Sequence, residues 1–432
     1  MRAKIVNATL ADGTKTSIDI VDGTIAGFEG AGSFDATFDV RGKYVIPGVI
    51  DAHVHFREPG GEHKEDWLTG SRAAAAGGVT TVLDMPNTNP PTIDANSLEM
   101  KRSLAAKSLV NFGFHLGATT GNRAEIEKLR GKVAGVKIYV GSSTGSLLVA
   151  EDDELRKLFA IPDILWLVHA EDENLMKKNA ERLGTISDSA LHSKLRDRKV
   201  AIHAIERVLR LARETGARIH LCHISTKEEV ELIQKAKNEG LPVTCEVSPH
   251  HLFLDESAYV TQGMFVKVNP PLRTPEDRLA LWRGLRYGTI DIIATDHAPH
   301  TIEEKKRGYT EVPSGMPEVQ TSLPLMLDAL DGSDFTLEWL VSAMSTRPAE
   351  IFSLSKKGRI AKGYDADLAV VDMNKSQVVS KKMLFSKCGW SPYEGKNLKG
   401  WPIMTFINGN LVFDNGKINE DNKGKEITYG NV

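Results

Sequence analysis

His53-Val54-His55 sets two imidazoles two positions apart. In an extended segment such residues point to the same side, so both rings can reach one metal ion. An isolated pair of this kind is more often an ordinary strand feature than a ligand set. Here it has company, because Lys137, His169, Cys222-His223 and Asp296-His297 all sit in or directly after short β-rich runs. His53, His55, His169, His223 and Asp296 make five nitrogen or oxygen donors. A single catalytic zinc takes roughly three protein ligands and a water. Five donors suit two ions about 3.5–4 Å apart that share a bridging group. Lys137 is the unusual member. An ammonium cannot ligate, but an amine buried beside cations gives up its proton more readily, and a neutral amine can add carbon dioxide. The carbamate so formed carries two oxygens on a long stem and is shaped to bridge two ions. The plainer reading of Lys137 is a strand lysine paired with a carboxylate.

These side chains converge only if the elements carrying them open onto one face. Eight β-rich runs occupy the middle of the chain: 45–51, 80–85, 111–118, 135–140, 164–169, 218–223, 241–247 and 290–295. Charge-laced helical stretches alternate with them, such as 64–76, 125–130, 200–214, 227–238 and 275–285. Eight β–α repeats predict an α/β fold, a (β/α)8 TIM-type barrel over 49–354. The rival is an open doubly wound sheet, but no glycine-rich dinucleotide fingerprint opens a helix here. Barrel enzymes build their sites at the C-terminal strand ends, and five of the eight predicted ends carry a candidate ligand. The two termini read differently. Asp12-Gly13, Asp22-Gly23 and Asn408-Gly409 are turn signals between short strands, so 1–48 and 355–432 are expected to form a small composite β-sandwich domain.

Composition excludes several other classes. The 432 residues are 41% hydrophobic, with 54 Lys+Arg against 57 Asp+Glu. A net charge of −3 without basic blocks gives a nucleic-acid role no support. Three cysteines, Cys222, Cys245 and Cys388, are too few and odd in number for a disulfide framework and fit a reducing compartment. Neither a signal-peptide core nor an apolar run of membrane-spanning length occurs. The expectation is a cytoplasmic enzyme acting on a small molecule, with no membrane partner.

Four motifs carry a family resemblance. Asp51-Ala-His-Val-His-Phe-Arg-Glu-Pro-Gly60 and Asp296-His-Ala-Pro-His300 resemble the first-strand and eighth-strand motifs of the amidohydrolase superfamily, and specifically of its dihydroorotases. Thr244-Cys-Glu-Val-Ser-Pro-His-His251 and Asn269-Pro-Pro-Leu-Arg273 are similar to the same family. The likeness runs over nearly the whole chain, including 358–372. It implies that His53, His55 and Asp296 hold one zinc, that His169 and His223 hold the second, and that N6-carboxylated Lys137 and a hydroxide bridge them. It implies further that the bridging hydroxide attacks the ring carbonyl, with Asp296 as general base and then general acid. The reaction implied is the reversible hydrolysis of dihydroorotate to N-carbamoyl-L-aspartate, the third step of pyrimidine synthesis. The motifs also place Cys222, Glu246 and His300 where an extra metal contact is conceivable, although Cys222 reads more simply as a small buried hydrophobe.

Dihydroorotate carries a carboxylate. Arg57 falls on the same face as His55 and offers it a bidentate fork, and Asn87 can pair beside it. The bland alternatives are a salt bridge from Arg57 to Glu58 or Glu62, and a turn role for Asn87. The family pattern adds His55, Asn269, His300 and the backbone at Ser314-Gly315 as substrate contacts. The glycine- and serine-rich stretch 141–146 could serve as a lid or be a plain loop. His250 and His251 read as packing, and His63, His115, His192, His203 and His220 as structural. Relatives are often dimers or tetramers. The nearest rivals are allantoinase and the dihydropyrimidinase or hydantoinase type, whose neutral rings have no use for Arg57. A non-catalytic scaffold is the remaining rival.

Overall fold

The computed structural model describes residues 2–142, 147–184 and 189–430. Two sheets organise them. The first is built from β1 (Arg2–Thr9), β2 (Lys15–Val21), β3 (Thr24–Phe28), β4 (Ala36–Asp39) and β5 (Tyr44–Pro47). The second is the barrel: β6 (Val49–Val54), β7 (Val79–Asp84), β8 (Asn111–Gly117), β9 (Gly135–Tyr139), β10 (Leu165–His169), β11 (Arg218–Leu221), β12 (Val243–Val247) and β13 (Ile292–Ile293). The chain then returns to the first sheet with β14 (Leu368–Val378), β15 (Asn397–Ile407), β16 (Asn410–Asp414) and β17 (Lys417–Ile418).

Strands β6 to β13 pair in sequence order, with parallel ladders throughout. β6 to β10 are buried along their whole length. That is the pattern of strands covered by helices outside and packed side chains within. β13 is only two residues long, so side chains help to close the barrel. The Asp51 carboxylate accepts from the Thr295 N–H at 3.0 Å and from its hydroxyl at 2.6 Å. A single parallel bridge joins Val54 to His297.

The predicted first strand, 45–51, is in fact divided between the two sheets. β5 pairs antiparallel with β14, and β6 pairs parallel with β7. The break is Gly48, where a Cβ would lie 2.1 Å from Thr80 Oγ1. The β-rich ends are hydrogen-bonded as one sheet in the order β17-β16-β15-β14-β5-β1-β2-β3, with β4 on β1. The first barrel helix starts at Trp67 rather than at residue 64. Asp66 caps it by accepting from the Leu68 and Thr69 N–H groups, and Thr69 returns the contact. This frees Lys64 to belong to the preceding loop. No helix among the described residues is long and apolar enough to cross a membrane.

Candidate metal centre and substrate pocket

The strand ends bring the candidate residues to one pocket. His53, His55, Arg57, Asn87, Lys137, Tyr139, His169, His223, Asn269, Asp296, Ser314 and Gly315 line it. Three of them sit at strand ends in the left-handed region without being glycine: Arg57 at φ 65°, His223 at φ 36° and Asp296 at φ 50°. Such backbone is held only where its surroundings over-determine it, and it clusters at functional sites.

His53 lies between two carboxylates. Its Nδ1 contacts Glu246 Oε1, and its Nε2 is 3.3 Å from Asp296 Oδ1. His55 Nε2 approaches the same Asp296 oxygen at 2.9 Å, while its Nδ1 meets Asn87 Oδ1 at 2.7 Å. Across the pocket, His169 Nδ1 and His223 Nε2 are 3.0 Å apart, and His169 Nε2 is 2.9 Å from Glu171 Oε2. Arg196 in turn pairs with Glu171. Burial pushes the His55 ring down to about 3, and also lowers His169 and His223. These imidazoles are therefore neutral near pH 7, the form that ligates a metal. Burial alone would raise the Asp296 carboxyl, but the rings of His53 and His55 outweigh it and hold it below the usual carboxylate range.

The donor set fits divalent metal. Ligand atoms of His53, His223 and Asp296 all lie within 4.8 Å of one another, as do those of His53, Cys222 and Glu246. His223 Nδ1 is buried without a hydrogen-bond partner among the described residues. Lys137 is 1% exposed, and its Nζ has Cys222 Sγ at 3.0 Å but no carboxylate within ion-pair reach among the described residues. The carboxylate-paired reading of this lysine therefore lacks its partner. His300 stands apart from both donor clusters, with Nε2 3.0 Å from the Ser314 carbonyl and 3.1 Å from Arg57 Nη2. Arg57 does not pair with its neighbours. Glu58 is taken by Lys107 at 2.7 Å, and Glu62 accepts from the Gly60 N–H. Residues 143–146 of the proposed lid lie outside the described residues.

Several supporting residues escaped the sequence reading. His220, taken as structural, holds Glu246 at 3.1 Å, and Glu246 holds His53. The signal was present, since His220 and Cys222 are two apart in an extended run and share a face. The same alternation places Tyr139 beside Lys137, with its hydroxyl buried and without a hydrogen-bond partner among the described residues. His192 reaches Asn269 Oδ1 at 3.0 Å. Glu171, Arg196 and Lys64 had no comparable local signal. His250 and His251 pair with Glu318 and the Pro270 carbonyl.

A barrel with histidine and aspartate donors and a buried lysine at its strand ends defines a class, and the chain belongs to it: the amidohydrolase family, whose model matches residues 44–412. The family is generally metal-dependent, in keeping with the donor clusters. Relatives matched over most of the chain include dihydroorotases. That of Methanosarcina mazei is 41% identical over 407 residues, covering 90% of this chain and 87% of that protein. That of Halobacterium salinarum is 40% identical over 418 residues, covering 95% and 96%. That of Listeria monocytogenes is 38% identical over 387 residues, covering 88% and 90%. Among solved structures, the L-hydantoinase (dihydropyrimidinase) from Arthrobacter aurescens superposes with a TM-score of 0.93 at 30% identity, covering 99% of both chains.

Proposed function

We infer that this chain is a dihydroorotase, a hydrolase that opens the cyclic amide of dihydroorotate to give N-carbamoyl-L-aspartate and closes it again in reverse. The observation that carries the reading is Arg57. Its guanidinium lines the pocket with Nε on the Pro299 carbonyl at 3.1 Å, and no carboxylate lies within ion-pair reach among the described residues. A guanidinium left in this state at a binding site calls for an anionic partner. A ring carboxylate supplies one, and a neutral hydantoin or dihydropyrimidine ring does not.

His53, His55 and Asp296 would hold one zinc and His169 and His223 a second, with carboxylated Lys137 reaching both. When bound, the ions supply Lewis acidity, which makes water acidic enough to act as hydroxide near pH 7 and polarises the ring carbonyl. The carboxylate of Asp296, charged at neutral pH, takes the proton of the attacking water. It delivers that proton to the ring nitrogen as the C–N bond breaks and the C–O bond forms. Arg57, Asn87, Asn269 and His300 orient the ring through its carboxylate and amide edge. Glu171 and Glu246 fix the ring planes of His169 and His53, as carboxylates behind metal-ligating histidines do. The barrel over 49–354 then carries the chemistry, and the β domain of 1–48 and 355–432 supports it.

The test is hydrolysis of L-dihydroorotate by zinc-loaded protein beside allantoin, hydantoin and dihydrouracil. The expected result is a clear preference for dihydroorotate. Preference for a neutral ring would move the protein to the hydantoinase side of the family.

A further inference from the structure

Lys64 sits in the loop ahead of the first barrel helix, outside every ligand and substrate set described above. Its Nζ is 3.2 Å from His300 Nδ1 and 3.0 Å from Glu304 Oε1, and its side chain is 19% exposed. An ammonium only donates, so His300 Nδ1 has to accept. The ring proton is then on Nε2. That assignment agrees with the other side of the ring, where Nε2 faces the Ser314 carbonyl at 3.0 Å, a group that only accepts. Two independent neighbours therefore select the same tautomer.

The consequence falls on Arg57. Its Nη2 is 3.1 Å from the same His300 Nε2. A guanidinium has no acceptor, so in this tautomer two N–H groups face each other and no hydrogen bond forms between them. The opposite tautomer would let Arg57 donate. It would also set the Lys64 ammonium against an N–H, strip the Ser314 carbonyl of its donor, and keep only a 3.6 Å approach from Nδ1 to Glu304. A doubly protonated ring fails for the same reason at Lys64. Burial, followed by the charges of Arg57, Lys64 and Lys305, also drives His300 well below the ordinary histidine range. The opposed donors are relieved when an acceptor oxygen lies between them.

We propose that Lys64 is a specificity-determining positioning residue: it holds His300 as the Nε2–H tautomer, so that this one N–H, shared between the Ser314 carbonyl and the substrate, converges with Arg57 on one carboxylate oxygen of the substrate. The ammonium acts through His300 rather than as a free charge, since Glu304 already neutralises it. Glu304 is itself held by the N–H of Thr301, at the cap of the short helix Ile302–Lys305. The proposal rests on the reading that the substrate carries a carboxylate.

Lys64→Met and Lys64→Arg test it, each measured for zinc content, for steady-state kinetics with L-dihydroorotate, and for the ring nitrogen shifts of His300 in ligand-free, histidine-labelled zinc protein. Lys64→Met should raise KM about tenfold with a smaller change in kcat and zinc content held, the pattern of lost binding rather than lost chemistry. Its His300 ring should no longer be fixed as Nε2–H. Lys64→Arg, which still donates to Nδ1, should keep the tautomer and bring KM back to within about threefold of wild type. An unchanged KM and an unchanged tautomer in Lys64→Met would overturn the proposal, as would a wild-type ring protonated on Nδ1. Lack of dihydroorotate turnover by the wild type would instead sink the functional reading, and the ring shifts would still decide what Lys64 does to His300. Lys64→Leu, which likewise has no donor, serves in place of the Met variant if the latter does not fold.

Discussion

The Lys101 ammonium and the Asp84 carboxylate meet at 2.5 Å, and neither side chain has any solvent exposure. The pair stands directly behind the pocket. Asp84 Oδ1 also accepts from the N–H of Phe56 at 2.7 Å, and Phe56 separates His55 from Arg57. Lys101 also donates to the Met85 carbonyl at 2.6 Å, two residues before Asn87. One buried ion pair thus ties together the ends of β6 and β7 where three pocket residues arise. Lys101→Met would leave the Asp84 carboxyl buried without its ion-pair partner, and should cost about 3–5 kcal/mol of stability. Urea unfolding measures this. The double variant Lys101→Met, Asp84→Asn should lose less than the sum of the two singles, and additive losses would show that the pair is not coupled.

Lys137 has no carboxylate partner among the described residues, so its removal should be felt in metal content rather than in an orphaned ion pair. Lys137→Ala is expected to lose most bound zinc and nearly all activity. Short carboxylic acids should restore part of both by supplying a bridging anion. Elemental analysis decides the point, and full zinc occupancy in the variant would end the bridging role.

Arg57→Met removes the donor fork but no metal donor. Loss of a hydrogen bond to a charged group is worth about 1.5–3 kcal/mol. kcat/KM for dihydroorotate should therefore fall by roughly 10- to 150-fold while zinc content stays level. Wild-type kinetics in this variant would remove the basis for assigning a carboxylate substrate.

Asp296→Asn abolishes the proton acceptor while nearly preserving shape. A drop in kcat by a factor of ~10²–10⁴ is expected for a lost general acid–base group. Zinc content measured on the same preparation separates proton transfer from ligand loss. Retained kcat with zinc in place would exclude Asp296 as the proton carrier.

His192 predicts an acid-side weakness. Burial, then Arg196 and Lys267, lowers its ring to about 3, against an unfolded value near ~6.5. Above pH ~6.5 the ring is neutral in both states and adds no pH dependence. As pH falls below that, the unfolded chain takes up a proton that the native ring refuses, so stability declines by up to ~1.4 kcal/mol per pH unit until the native ring titrates. In urea midpoints between pH 6.5 and 5, His192→Asn should show a shallower decline than wild type. Parallel declines would mean that His192 is not a source of the acid sensitivity.

Much of this centre was legible along the chain because ligand chemistry and strand alternation are local. His53 and His55 share a face by spacing alone, and Lys137, His169, His223 and Asp296 stand at or near strand ends that a barrel must turn to one side. The strand boundaries were less legible. β5 and β6 form one apolar run in the sequence, and their division falls at Gly48, where the backbone passes too close to Thr80 for a side chain. Lys64 looked like the start of a helix, although a local signal stands against it: Asp66 is a preferred N-cap type, with Thr69 three residues on to complete the capping box.

The sequence by itself determined the barrel, the donor types and the presence of an arginine suited to a carboxylate, since each follows from residue identity and short-range period. Only the tertiary structure decided which groups hold the donors in place. Glu246 reaches His53 across 193 residues, and Lys64 reaches His300 across 236. Such contacts depend on how the strands close and where loops fold back, and no periodicity along the chain encodes them. Among the described residues, the same closure brings no carboxylate within ion-pair reach of Lys137 or Arg57, and both line the pocket.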